Sequence, residues 1–229
     1  MEINEWSDNF KKTMLQGFSN RIVFIGLQGS YARGEETENS DIDVVVIFDY
    51  LTMDDLKKYD KMISEMPFRD KICGFISGKE ELENWEKSDL FQFYNDTTAL
   101  YGSLDFIKSL IKKENIEQAA LIGACNIYHA CCHNIVHEKS AEILKALYKQ
   151  AVFVLQAKYF LATGKYIKKK KDLLEKLSSQ DKIILEIYFL IKSMKNDKID
   201  KKDFENYSNA LFTWSGQIIK NMNHNLQFK

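Results

Sequence analysis

The chain has one proline and ten glycines in 229 residues, too few turn-makers for a loop-rich sandwich and more in keeping with long helices. Six of the ten glycines fall between Gly17 and Gly78, and after Gly123 only Gly164 and Gly216 remain. That asymmetry predicts an α/β front and an all-helical back. An excess of charge is missing too. Lys and Arg number 32 against 33 Asp and Glu, a formal net charge of −1, so no global field draws the chain to nucleic acid or to a membrane surface. No apolar run approaches the roughly 20 residues of a bilayer-spanning helix. The acidic, amphipathic start MEINEWSDNFKK lacks the pattern of a secretory signal. Four cysteines (Cys73, Cys125, Cys131, Cys132) show no CxxC spacing, and adjacent Cys131 and Cys132 make a poor disulfide framework. Reduced thiols and a cytoplasmic location are therefore expected.

What is present is an ordinary globular composition, long enough for one large domain or two small ones. Ile3, Trp6, Phe10, Met14 and Phe18 recur at three- and four-residue steps, which predicts an amphipathic helix over 3–18. Strands are expected at Arg21–Leu27 and Asp41–Phe48, and weaker ones at Lys71–Ile76 and Ala99–Ile107. A helix over Met53–Met66 should break at Pro67. From about Lys108 the period is helical, over Ile116–Val136, Ser140–Thr163, Ser179–Met194 and Lys202–Met222. The expected fold class is α+β, with a small mixed sheet and helices over residues 1–108 and an all-α bundle over 109–229.

The informative stretch runs from Gly26 to Phe48, G-L-Q-G-S-Y-A-R-G-E-E-T-E-N-S-D-I-D-V-V-V-I-F. Asp41 and Asp43 stand two apart at the head of a β-branched run, so in a strand their carboxylates share a face. Two like charges that close need compensation. A divalent cation supplies it, and an oxygen-only pair with room for phosphates suits magnesium. Gly29-Ser30 ends the previous strand, where glycine permits positive φ and close backbone approach. Ser30 to Arg33 would open a short helix whose free N–H groups favour an anion, with the serine hydroxyl and the Arg33 guanidinium as further donors. Phosphates on one edge and a metal on the next strand suit phosphoryl or nucleotidyl transfer. The alternative is a hairpin-like connection carrying two incidental surface aspartates.

This stretch resembles the nucleotidyltransferase superfamily that includes DNA polymerase β, the antibiotic nucleotidyltransferases and the minimal nucleotidyltransferases. The family pattern is a hydrophobic strand, Gly-Ser, about ten residues, then Asp-hydrophobic-Asp-hydrophobic. Gly29, Ser30, Asp41, Ile42, Asp43 and Val44 meet it. The resemblance implies Mg2+, two ions held by Asp41 and Asp43, with nucleotide contacts from Gly29, Ser30, Arg33 and Ser40. It also implies a third carboxylate on a later strand, where Lys71–Ile76 offers no acid. Asp70 stands at that strand's edge. Asp96, ahead of the next strand, is the preferred candidate for the third catalytic acid, with a turn or cap residue as its other reading.

A helical bundle behind such a core resembles the layout of aminoglycoside and lincosamide nucleotidyltransferases, where the second domain closes the cleft and contacts the acceptor. Lys149, inside an apolar helical run where an unpaired ammonium is costly, is the expected triphosphate contact, with a place on the solvent stripe as the alternative. Glu138 and Glu142 are candidate general bases. His129, His133 and His137 share a helical face beside Cys132, but with no acid between the first two a packing or cleft-lining stripe is preferred to zinc. The absence of arginine from this helix argues against a fused ribonuclease partner of the minimal enzymes. Lys168–Lys171 reads as a solvated helix start rather than a nucleic-acid patch. Trp85 and Tyr94 are candidates to stack on a ring.

The implied reaction moves a nucleoside monophosphate, AMP from ATP foremost, to a hydroxyl of a small-molecule acceptor such as an aminoglycoside-like antibiotic. A protein acceptor of the antitoxin type and a degenerate core that only binds nucleotide are the alternatives. The partners expected are a nucleoside triphosphate and the acceptor, with no membrane, no positive case for nucleic acid, and room for a homodimer.

Overall fold

Two buried, β-branched runs form the centre of one four-stranded sheet, and helices cover both its faces. The computed structural model describes residues 2–194 and 199–226, the side chains of 223–226 excepted. The chain falls into two compact units, Met1–Lys112 and Lys113–Lys229.

The first unit opens with α1 (Ile3–Phe18), which buries Trp6, Phe10, Met14 and Phe18, one side chain per turn. There follow β1 (Ile22–Leu27), the five-residue helix α2 (Gly29–Arg33), β2 (Ile42–Phe48), α3 (Met53–Ser64), β3 (Ile72–Gly78), α4 (Lys79–Glu83), α5 (Lys87–Asp96), β4 (Thr98–Gly102) and α6 (Asp105–Lys108). The strand order is β3-β2-β1-β4. β2 runs antiparallel to β1 and parallel to β3, and β4 runs antiparallel to β1. Val44, Val46 and Phe48 of β2 pack with α1 and α3 on one face, while Val45 and Ile47 meet Leu82, Leu90 and Ile107 on the other. Asp43 falls on this second face by the two-residue period.

The strand expected over 99–107 is shorter and gives way to a helical turn. Gly102 stops it, with φ +71 and Val23 O 2.1 Å from where a Cβ would stand. The 79–96 segment, given no element from sequence, forms α4 and α5. Helix α3 ends at Ser64, and Pro67 beyond it accepts a hydrogen bond from Trp6 Nε1 (3.0 Å).

A capping box starts α3: the Thr52 hydroxyl accepts from the Asp55 N–H, and the Asp55 carboxylate accepts from the Thr52 N–H. Arg21 Nη1 donates to the same carboxylate at 2.9 Å and lies 3.6 Å over the Tyr50 ring, tying the start of β1 to the end of β2. The Thr52 hydroxyl, then Arg21, hold the Asp55 carboxyl below the usual range, against the opposing pull of burial. A group with a lowered pKa stabilises fully above its unfolded value, about pH 4, and that contribution is lost as pH falls through the folded value. We expect Asp55→Ala to cost about 1–2 kcal/mol in urea denaturation at pH 7. The difference from the parent should shrink below about pH 4, and an unchanged gap at pH 3 would detach the effect from the carboxylate's charge.

The second unit contains α7 (Lys113–His133), a π turn (Asn134–Glu138), α8 (Ala141–Thr163), α9 (Lys170–Lys176), α10 (Ser179–Ser193) and α11 (Lys201–Leu226). Alanines 120 and 124 of α7 are fully buried, so helices approach closely along that stripe. Tyr148 is buried in the middle of α8, and its hydroxyl donates to Tyr207 O at 2.9 Å. Burial pushes the Cys131 thiol up to about 11, which leaves it protonated and inert at neutral pH. The architecture is thus α+β, a four-stranded mixed sheet with helices followed by a helical region. No described helix is long and apolar enough to cross a membrane.

Candidate functional site

Strand β1 ends at Leu27, and the chain turns through Gln28 into α2 directly beside the head of β2. The Gln28 N–H donates to Asp43 O at 2.8 Å. Gly29 has φ +66, and a Cβ placed on it would lie 1.8 Å from Asp43 Oδ2. Glycine takes that angle without strain, and any side chain here would collide with the carboxylate. Asp43 is half-buried and Asp41, one residue ahead of β2, is exposed. The Ser40 hydroxyl accepts from the Thr37 N–H at 2.9 Å and so closes the turn that delivers Asp41.

A second contact layer braces this turn. Gln28 Nε2 donates to Thr97 Oγ1 at 2.7 Å, and Thr97 donates in turn to Phe93 O, clipping the turn to the end of α5. Asp96, the last residue of α5, is only 5% exposed. Arg33 at the end of α2 lies between Glu35 (3.2 Å) and Asp96 (3.8 Å). The structure therefore brings Arg33 and Asp96 together as an ion pair between α2 and α5. Gln28, Glu35 and Thr97 had no signal in the sequence beyond their neighbourhood to Gly29, Arg33 and Asp96.

Cys73 is the residue that pairs in register with Asp43 across the parallel β2–β3 contact. Residues paired in this way share a face, as Phe75 and Val45 do two positions on. The place beside Asp43 on the adjacent strand thus holds an exposed thiol. Asp70 is exposed in the turn before β3. Trp85 is 42% exposed and edge-on to Phe75, with ring centroids 5.4 Å apart, while the Tyr94 hydroxyl reaches Asp105 at 3.4 Å. Among the described residues no three His, Cys, Asp or Glu side chains converge as a metal cage. A magnesium site does not require one, because that ion keeps waters and substrate oxygens beside one or two carboxylates.

In the helical unit Lys149 is exposed on α8, not buried among the apolar residues that flank it in sequence. The flanking Leu147, Tyr148, Ala151 and Val152 face the core and Lys149 does not, so the expected cost of an interior ammonium does not arise. Glu138 and Glu142 are exposed, as are His129, His133 and His137, the last two with ring centroids 4.8 Å apart.

The family model for a nucleotidyltransferase domain matches residues 7–95, the span that holds β1, α2, β2, β3 and nearly all of α5. Two similar proteins from Methanocaldococcus jannaschii carry the name "Putative protein adenylyltransferase". MJ1379 is 38% identical over 73 residues, covering 32% of this chain and 68% of its own. MJ1215 is 40% identical over 62 residues, covering 25% and 70%. The chain belongs to the nucleotidyltransferase family. Its fold is similar to that of the spectinomycin adenyltransferase AAD(9) from Enterococcus faecialis, a structure with ATP and spectinomycin. The TM-score is 0.55 at 14% sequence identity, over 95% of this chain and 99% of that one. The likeness spans the helical part as well as the nucleotidyltransferase domain.

Proposed function

We propose that this family member transfers the adenylyl group of ATP to a hydroxyl of a small-molecule acceptor. The observation that carries the reading is the close approach of Gly29 to the Asp43 carboxylate. It sets a turn with free backbone N–H groups directly against a metal-holding acid, so phosphate and metal sites adjoin. Asp41 and Asp43 fit Mg2+ by donor type, two hard oxygens with open surroundings. When bound, the metal neutralises phosphate charge and orients the α-phosphorus. The acceptor oxygen attacks that phosphorus, the bond to the bridging oxygen of the β-phosphate breaks, and pyrophosphate leaves. The acceptor's proton passes to a general base, for which Glu138 and Glu142 are the candidates. Gly29 and Ser30 hold phosphate oxygens, Ser40 sets the approach to Asp41, and Lys149 offers its exposed ammonium to the triphosphate. Arg33 and Asp96 act first by positioning α2. The five donors of the guanidinium and the two oxygens of the carboxylate let either also reach phosphate or metal from within the pair. Residues 109–229 supply the acceptor-binding part.

Pyrophosphate release with each of the four NTPs, across aminoglycosides, lincosamides and simple polyols, tests the reading. Acceptor-dependent release that is lost in Asp41→Ala/Asp43→Ala supports it. Silence across the panel, with ATP still bound, sinks it. A protein acceptor is the second reading, favoured by the names of the two Methanocaldococcus relatives. Transfer of labelled AMP to a lysate protein, found by mass spectrometry, distinguishes it.

The thiol beside Asp43 has its own consequence. Cys73→Asp places a carboxylate on the strand next to the metal-holding pair, and a further hard oxygen tightens magnesium. We expect the magnesium concentration for half-maximal turnover to fall by roughly tenfold, about 1.4 kcal/mol. An unchanged or raised requirement would place the metal away from β3.

A further inference from the structure

We infer that the helical unit carries a binding pocket of its own for a neutral, polyhydroxylated ring such as a sugar or cyclitol. The last turns of α8, the first turn of α10 and the C-terminal half of α11 border an open hollow of about 380 Å³, within the range of small-molecule sites. Asp181 stands in its wall. One carboxylate oxygen, Oδ1, accepts from both Lys158 Nζ (2.5 Å) and Trp214 Nε1 (2.7 Å). Lys158 also lies 5.6 Å from the centre of the Trp214 ring. These contacts fix the carboxylate and leave Oδ2 without a protein donor among the described residues. A preorganised acceptor loses little entropy on meeting a hydroxyl.

The rest of the lining sets the ligand class. Gln217 and Asn221 are exposed at the rim, and their carboxamides pair with no described residue. Each offers both donors and an acceptor, as a ring of hydroxyls demands. Leu161, Ala162, Met222 and the buried Ile218 make the larger part of the wall apolar, a surface for the C–H face of such a ring. One lysine and one aspartate leave the lining without net charge, so neither a polycation nor an anion finds a surplus partner. A neutral ring with vicinal hydroxyls matches every one of these groups. The inference rests on the helical unit alone and does not depend on the transfer reaction.

Calorimetric titration of the full chain with myo-inositol and with methyl α-glucoside, in the absence of nucleotide and metal, tests it. At least one of these probes should bind in the millimolar range, about 4 kcal/mol. Gln217→Ala and Asn221→Ala, at exposed positions that leave the helices intact, should each weaken binding by roughly tenfold. Asp181→Asn should weaken it further, with circular dichroism confirming the fold. No heat from either probe at concentrations well above the millimolar range overturns the pocket. So does binding that survives both rim substitutions unchanged. Tighter binding of glucosamine, the ammonium-bearing ring, overturns the neutral-ligand assignment. Because no ATP is present, these results stand apart from any failure of nucleotidyl transfer.

Discussion

Asp43→Asn should lower adenylyl transfer by about a thousandfold or more, equivalent to roughly 4 kcal/mol of transition-state stabilisation. The change keeps the shape of the side chain and removes one hard anionic ligand, so both metal affinity and charge neutralisation fail together. The fold should not suffer. Val44, Val45 and Val46, which anchor β2 in the core, are untouched, and loss of one of two neighbouring carboxylates relieves like-charge repulsion. The melting temperature should therefore stay within about 4 °C of the parent or rise. Pyrophosphate release and a thermal melt on the same preparation decide it. Turnover above about a tenth of the parent, a deficit of only about 1.4 kcal/mol, would remove the carboxylate from the mechanism. Full loss together with a collapsed melt would show that Asp43 holds the turn rather than the chemistry.

The turn and the strand head that make up the candidate site were legible because their residues obey local rules. A β-branched run interrupted by Asp-x-Asp announces itself at a period of two, and Gly-Ser at a strand end marks the turn. The α+β layout followed from the switch to helical spacing after Lys108. Non-local pairings were not legible. Nothing in the sequence places Thr97 against Gln28, or Asp96 against Arg33, since those contacts join elements about 65 residues apart. The register that sets Cys73 beside Asp43 is likewise a property of a parallel pair whose strands are separated by α3. Lys149 falls on the solvent stripe, the alternative weighed for it, because at 100° per residue it points away from Leu147, Tyr148, Ala151 and Val152. Helix α5 was missed because its helical spacing, Leu90, Phe93 and Tyr94 with Phe91, is confined to little more than one turn. Its capping by Glu86, whose carboxylate accepts from the Ser88 N–H at 3.3 Å, is an unusual start signal.

Gly29→Ala should disable the candidate site with a single methyl group. The positive φ of Gly29 costs an alanine about 1–2 kcal/mol by itself. The new Cβ would also fall 1.8 Å from Asp43 Oδ2, so either the carboxylate swings away or the turn opens. Both moves separate the N–H groups proposed to hold phosphate from the acid proposed to hold the metal. We expect activity to drop by at least about a hundredfold, since small misplacements of reacting groups cost that much, and the urea midpoint to fall with it. A double-mutant cycle separates the two causes. In Gly29→Ala/Asp43→Ala the obstructing carboxylate is gone, so part of the lost stability should return, with a coupling of about 1 kcal/mol or more. The φ penalty remains and activity does not return. Strictly additive stabilities would mean that the Asp43 carboxylate does not press against the turn in solution, and the joined phosphate and metal sites would lose their structural basis.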